Sequence, residues 1–490
     1  MPGQPLQSDF LHFTDNLDDN VAQMRALFQN DNTFVVRAME SRTAPHLRCA
    51  VFFFDGMVAN LAINQSVLRP IADWNGGAPV SAEVLATRIS QINDSRVEAD
   101  TSNMLSALLY GDTVILTEGD PRAVVVNTKG FSLRSSGEPD NERVLQGPRE
   151  GFTEGFMTNL SMIRRRLRTP HLKFTFYPFG EQSHTTVVLC YIDGVCDSAV
   201  VTQWQDRLSR FSRDGVLDAN YFSETLRDHR LSPFPTMGTT ERPDVVAARL
   251  LEGQAALLVD GTPVALTAPY ILQACFQAND DYYRNFFYVG LARLLRLAGF
   301  ALSVVIPALY VSLLLYHQEI LPTRLLFAIA AARQGVPMPT LPETLLLLLI
   351  FEVLKEAGTR TPGAIGQTMS IVGGLVLGQA AVSARFVSAP VVIVVAVAGV
   401  LGLLCPKLTT AAMISRFFLL ACGAVLGLYG VFFGCALLLA HLCALDSFGV
   451  PYLLNLLPRV SPHLEDAYVR APWYAMRSRG RFVAQEEEKS

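Results

Sequence analysis

At 490 residues the chain is long enough for several domains, and half of it is hydrophobic. Its formal net charge of -4 exerts no general pull toward nucleic acid or acidic surfaces. Of its eight cysteines, Cys405, Cys422, Cys435 and Cys443 sit in apolar runs and Cys190 and Cys196 flank an Asp-Gly turn; this is neither a disulfide framework nor a zinc spacing, and it points to a reduced compartment.

The average conceals two unlike halves. Residues 1–286 carry charges every few positions, whereas 287–445 is apolar. The stretch Met1–Phe10 has neither the basic region nor the apolar core of a signal peptide. The polar half is therefore expected to stay on the side of the membrane where it is made.

Arg48–Val58 and Thr186–Cys196 are each a short apolar run containing Asp-Gly, the pattern of a buried strand closed by a turn. Each precedes a helical stretch, Asn64–Ile71 in the first and Ala199–Phe211 in the second. Residues 111–126 and 253–266 then each read as two strands around Glu-Gly-Asp-Pro or Asp-Gly-Thr-Pro, a hairpin. Strand, helix and hairpin thus recur in the same order, which predicts two duplicated α/β subdomains with mixed sheets, over 1–136 and 150–286, joined by an acidic linker, 137–149. After the linker, Phe152, Phe156, Leu160, Ile163 and Leu167 recur at helical spacing and predict an amphipathic helix. Arg164, Arg165, Arg166 and Arg168 crowd its C-terminal turn. They either complement the helix dipole or make a contact with anionic lipid or a neighbouring subunit.

Thr361–Leu445 is 85 residues with three charges, Arg385, Lys407 and Arg416, and no carboxylate. Runs of about twenty apolar residues match a hydrocarbon core of ~30 Å. The expected crossings are Leu297–Tyr316 with a kink at Pro307, Ile365–Val382, Val387–Cys405 and Phe417–Leu445. Leu341–Phe351 is too short to cross and is expected to be re-entrant. The last run, 29 residues and about 43 Å as a helix, must tilt, break near Gly427 or Gly430, or run into the interface. The fold expected is therefore two α/β cytoplasmic subdomains, a membrane domain of about four spanning helices plus one re-entrant helix over 287–446, and a cytoplasmic tail, 447–490. Four crossings place Arg284, Arg293 and Arg296 on the same, cytoplasmic side as Arg459, Arg470, Arg477, Arg479 and Arg481. Arg385 then falls inside too, while Lys407 and Arg416 fall outside, against the rule.

Gly374 and Gly378, Gly423 and Gly427, and Gly430 and Gly434 are each four apart, a spacing that lets helices pack closely, within or between chains. Polar groups at membrane depth are costly and have a task. Glu352 and Glu356 share one helix face, and Gln367 and Gln379 interrupt a glycine-rich span; these four are the candidate ion path. The plainer alternative is that Glu352 pairs with Lys355 or Arg360. Residues 1–286 contain no nucleophile–base signature, metal spacing or phosphate loop, so no enzyme, metal or cofactor is expected.

Several long motifs carry a resemblance. Gly147-Pro-Arg-Glu-Gly-Phe-Thr-Glu leading to Arg164-Arg-Arg, His317-Gln-Glu-Ile-Leu-Pro-Thr, Phe351-Glu-Val-Leu-Lys-Glu-Ala-Gly-Thr-Arg-Thr-Pro, Ser370-Ile-Val-Gly-Gly-Leu-Val-Leu-Gly-Gln-Ala-Ala-Val and Ser447-Phe-Gly-Val-Pro-Tyr resemble the A subunits of spore germinant receptors, the GerA family. The resemblance covers nearly the whole chain. It implies an oligomeric subunit of the inner spore membrane that works with a transporter-like B subunit and a lipoprotein C subunit and forms the ion-conducting part. The stage V sporulation protein AF type is a sister branch of the same architecture, implying a signal amplifier; a non-conducting scaffold or relay subunit is a further reading. Where the family commonly has an acidic residue after Gln-Ala-Ala-Val, this chain has Ser383 and Arg385, which disfavours cation passage at that loop.

Overall fold

The computed structural model describes residues 11–44, 46–76, 80–92, 94–130, 139, 142, 144, 146–360, 378–454, 470–472 and 474. Gln367, Gly374, and most of the acidic linker and of Ile365–Val382 lie outside them. The chain falls into a sheet unit, reaching to Asp228 and resuming over Met237–Pro269, and a helical unit formed by His229–Thr236 and the chain from Tyr270.

The sheet unit contains two five-stranded sheets. The first is built from β1 (Phe34–Glu40), β2 (Arg48–Phe54), β3 (Ser95–Glu98), β4 (Thr113–Thr117) and β5 (Asp120–Val126), in the order β1-β2-β4-β5-β3. The second is built from β6 (Leu172–Phe179), β7 (Thr185–Ile192), β8 (Gly238–Thr240), β9 (Ala255–Val259) and β10 (Ala265–Ala268), in the order β6-β7-β9-β10-β8. The two orders are the same order offset by five strands. The strand–turn segments form β2 and β7, with Gly56 and Gly194 both at positive φ in the turns. The two hairpins form β4–β5 and β9–β10.

Both sheets are antiparallel throughout their described pairings, not mixed. The route from β2 to β4 explains the difference. It passes through helical pieces at Asn60–Ala72, then edge strand β3, then a second helix, and so re-enters the sheet in the opposite direction instead of crossing over.

The first sheet is covered on both faces, which is why its strands read as unbroken apolar runs. Helices α1 (Leu17–Leu27) and α2 (Thr101–Leu109) bury Met24, Met104 and Leu108 against Ala50, Phe52 and Phe54. The alternate residues Cys49 and Val51 face Ile63, Val67, Ile71 and Leu85 on the other side. In the second sheet, α3 (Phe156–Arg166) and α5 (Pro243–Leu251) pack Leu160, Ile163, Val246 and Leu250 on Phe174, Val188, Cys190 and Leu258. Between them in the chain, α4 (Ser198–Ser209) follows β7 and buries Trp204.

The helical unit contains α6 (Phe286–Tyr316), α7 (Thr323–Arg333), α8 (Thr340–Arg360), α9 (Ala389–Gly402) and α10 (Thr409–Ala444). Among the described residues, two stretches, Phe286–Tyr316 and Pro406–Ala444, are long and apolar enough to cross a membrane. The second is a hairpin and not one straight span. At Gly427 the backbone takes φ 64° and ψ -142°, a conformation confined to glycine, and the two arms, 409–426 and 428–444, fold back on each other. A Cβ placed on Gly423 would lie 3.0 Å from Val431, and one on Gly434 would lie 2.6 Å from Leu419. These pairs are centred on residue 427. Each arm is roughly 26 Å long at 1.5 Å per residue.

Of the four expected crossings, Ile365–Val382 lies mostly outside the described residues, and two of the expected segments differ in form. Phe417–Leu445 reverses within itself, and Leu341–Phe351 is part of the longer helix α8, whose 21 residues exceed the short re-entrant segment expected. The charges also exchange ends. The Cys405 thiol donates to the Arg296 carbonyl at 3.4 Å, so Lys407 lies at the Arg296 end of α6. The turn at Gly427 abuts Tyr316 and His317 at the opposite end, and Arg385 packs beside Gly335, beyond α7.

Candidate functional site

The helical unit closes around one arginine. Pro307 lies inside α6 and has no N–H, so the carbonyl four residues earlier, on Ser303, loses its helical partner. Arg416, on the first arm of α10, supplies the replacement: its Nε donates to that carbonyl at 3.0 Å. Its Nη1 pairs with Glu352 Oε1 of α8 at 3.1 Å, and its Nη2 reaches the Ala398 carbonyl in the last turn of α9 at 3.5 Å. The Arg416 side chain is 3% exposed. One guanidinium thus ties four helices at the depth of Ser303, seven residues or about 10 Å of helix beyond Arg296.

The other oxygen of Glu352 accepts from Lys355 Nζ at 3.1 Å, one helical turn away. A single carboxylate therefore faces two cations. Glu356 and Gln379 are exposed on their helices. Of the four ion-path candidates, the structure places Glu352 in the charge cluster with Arg416 and Lys355; Gln367 is outside the described residues. Among the glycines, Gly423, Gly430 and Gly434 line the contact between the arms of α10 and Gly427 makes their turn, while Gly378 lies 3.8 Å from Val392, measured from a Cβ built on it.

A second buried carboxylate was missed. Glu343, in the first turn of α8, is fully buried; it accepts the N–H of Ser388, the N-cap of α9, and lies 3.6 Å from Arg333 at the end of α7. In the sequence Glu343 merely flanked an apolar run. The only signal was a helix-starting Ser388-Ala-Pro whose capping acceptor lies 45 residues away.

The arginine cluster of α3 faces inward. Arg164 is buried, donates to Asp31 Oδ2 at 2.5 Å, and lies between the rings of Phe54 (4.1 Å) and Phe174 (4.7 Å). It joins the first sheet to the second, beside the Asn32 N–H to Phe174 carbonyl bond of 2.9 Å. Burial lowers the Arg164 pKa from its ordinary value, with Asp31 opposing. Arg165 and Arg166 both pair with Glu150 at 2.6 Å. Burial works against the Glu150 carboxylate, but the two arginines outweigh it and hold its pKa below the usual value. The Arg168 guanidinium stacks on Tyr110 at 3.7 Å. Each of the four thus has a partner within the sheet unit; Arg164 is buried, Arg165 and Arg166 are half-buried, and Arg168 is exposed.

The comparisons with known proteins agree over most of the chain. A family model described as Bacillus/Clostridium GerA spore germination protein matches residues 22–482. Spore germination protein KA of Bacillus subtilis (strain 168) is 37% identical over 476 residues, 96% of this chain and 88% of that protein. Spore germination protein GerLA of Bacillus cereus is 34% identical, with 96% of both chains covered. A membrane protein of Bacillus subtilis (strain 168), YfkQ, is 36% identical over 95% of this chain and 90% of that protein. Among solved structures, the N-terminal domain of the A subunit of the Bacillus megaterium spore germinant receptor GerK3 matches 54% of this chain and 98% of that domain, at 28% identity and a TM-score of 0.40. The chain belongs to the GerA family of Bacillus/Clostridium spore germination proteins.

Proposed function

We propose that this chain is the A subunit of a nutrient germinant receptor and that its helical unit, as an oligomer, forms a monovalent-cation channel opened by nutrient. It works with a transporter-like B subunit and a lipoprotein C subunit in the inner spore membrane, with both termini on the cytoplasmic side. Family membership supports the germination role. The hairpin of α10, which begins and ends near the Arg296 end of α6, supports termini on one side, and it brings Lys407 to the same end as Arg293 and Arg296.

The observation that carries the channel reading is the Glu352–Arg416 tie. An ion pair at membrane depth is expensive and is retained for a task. With Arg416 held on Glu352 and on the carbonyls of Ser303 and Ala398, the four helices are drawn together and the path is closed. Withdrawal of Arg416 frees one carboxylate oxygen and releases the carbonyls of Ser303 and Ala398 together, which loosens four helices at once. Correctly assembled oligomers of the purified chain in liposomes should pass potassium and sodium above the rate of empty vesicles; the absence of such flux contradicts the reading.

A second reading, a non-conducting relay subunit or an amplifier of the stage V sporulation protein AF type, is favoured by the same carboxylate having both oxygens engaged. In that case Glu352→Gln leaves germination-linked ion release unchanged.

A further inference from the structure

We propose that Ser447 is the positioning residue of a clamp that couples the last helical arm to the chain segments entering and leaving the sheet unit. Its functional consequence rests on the receptor reading above; its geometry does not. After α10 the chain forms a two-stranded ribbon, β11 (Asp446–Ser447) and β12 (Val450–Pro451), turned at Phe448 and Gly449. Ser447 is fully buried. Its hydroxyl donates to the Thr236 carbonyl at 2.6 Å and accepts from the Tyr270 N–H at 2.9 Å.

Both partners sit where the polypeptide changes unit. Thr236 ends the strap 229–236, directly before the chain returns to the sheet unit at Met237, and Tyr270 is the first residue after the chain leaves it at Pro269. One hydroxyl therefore holds two of these passages. The third passage among the described residues, at His229, is held by the preceding ribbon residue: His229 Nε2 and the Asp446 carboxylate are 2.6 Å apart. Between them the Ser232 hydroxyl meets His441 Nε2 at 3.0 Å, and buried Phe234 packs beside the His441 ring. His441 lies in the last turn of α10.

Three residues of the strap, His229, Ser232 and Thr236, bond to 441–447. These directional bonds make the strap, Tyr270 and the second arm of α10 one mechanical piece. A displacement of the arm pulls on these three chain segments together.

The test uses the full chain. In purified protein, Ser447→Ala should raise hydrogen exchange at the Tyr270 amide and across 229–236 at least tenfold, and Ser447→Thr should restore protection. In spores carrying this chain with its B and C partners as the sole receptor, Ser447→Ala should slow potassium release on complete nutrient broth at least tenfold, with the amount of assembled receptor unchanged. A short bis-methanethiosulfonate cross-link between Ser232→Cys and His441→Cys should alter the release rate, and reductant should reverse the effect. Unchanged exchange in Ser447→Ala overturns the clamp. Raised exchange with normal release overturns the coupling. Failure of the chain to conduct in liposomes removes the channel reading alone, because exchange and spore release still judge the clamp.

Discussion

Arg164 and Glu150 show how charge is used at the level of single residues. Arg164 fills a site that suits a planar cation: a carboxylate on its edge and an aromatic ring on either side. Lysine at 164 keeps the charge but not the stacking or fork geometry and leaves Asp31 poorly paired. We expect Arg164→Leu, which strands a buried carboxylate, to destabilise the sheet unit by roughly 3–5 kcal/mol, and Arg164→Lys to fall between it and wild type, read from urea unfolding of the full chain. Glu150 has a lowered folded pKa, so its contribution is fully present above the unfolded carboxylate range, around pH 4.3, and is lost as pH falls through the lower folded value. Stability measured between pH 6 and pH 3 should therefore fall less steeply in Glu150→Gln than in wild type; equal slopes would show that the pairing carries no net energy. Cys49 and Cys196 are buried and their thiols are pushed up to about 12, so iodoacetamide at pH 8 should leave both unmodified in the folded chain.

The elements show which features a single sequence carries. The two strand–turn segments and the two hairpins were legible, because an apolar run of a few residues closed by Asp-Gly is a local signal. The direction of the sheets was not, because it depends on how many reversals separate β2 from β4. The long apolar run at 417–445 was legible as too long for one span, and Gly427 was one of its candidate breaks. That the break becomes a full reversal depends on contacts between residues such as Leu419 and Gly434, which no local pattern displays. Two tests follow. Leu419→Cys with Gly434→Cys should form an intramolecular disulfide on oxidation, on a background lacking the native cysteines of α10; a continuous straight helix would hold those positions more than 20 Å apart at 1.5 Å per residue and give none. Gly427→Ala should lower assembly and thermal stability, since alanine rarely adopts that backbone conformation and its Cβ would lie 2.7 Å from His317.

At the scale of the whole molecule, the partition into a polar duplicated half and an apolar half was evident from charge spacing alone. The site was only half evident. Glu352 stood out as a carboxylate beside an apolar run, and its partner Lys355 was within reach of sequence reasoning. Arg416, 64 residues further along the chain, was read as a misplaced charge. Its fitness for the Ser303 carbonyl follows from Pro307, but only once the first arm of α10 is known to lie along α6. The central claim is that the Glu352–Arg416 tie keeps the helical unit closed to cations. The most direct measurement is potassium efflux from liposomes holding assembled oligomers of wild type, Glu352→Gln and Lys355→Met, with no nutrient present. The account predicts basal efflux raised at least tenfold in Glu352→Gln, which leaves Arg416 without its counter-charge, and close to wild type in Lys355→Met, where a partly exposed pair worth no more than about 1 kcal/mol is lost. Equal basal efflux from wild type and Glu352→Gln, at equal assembly, would contradict it.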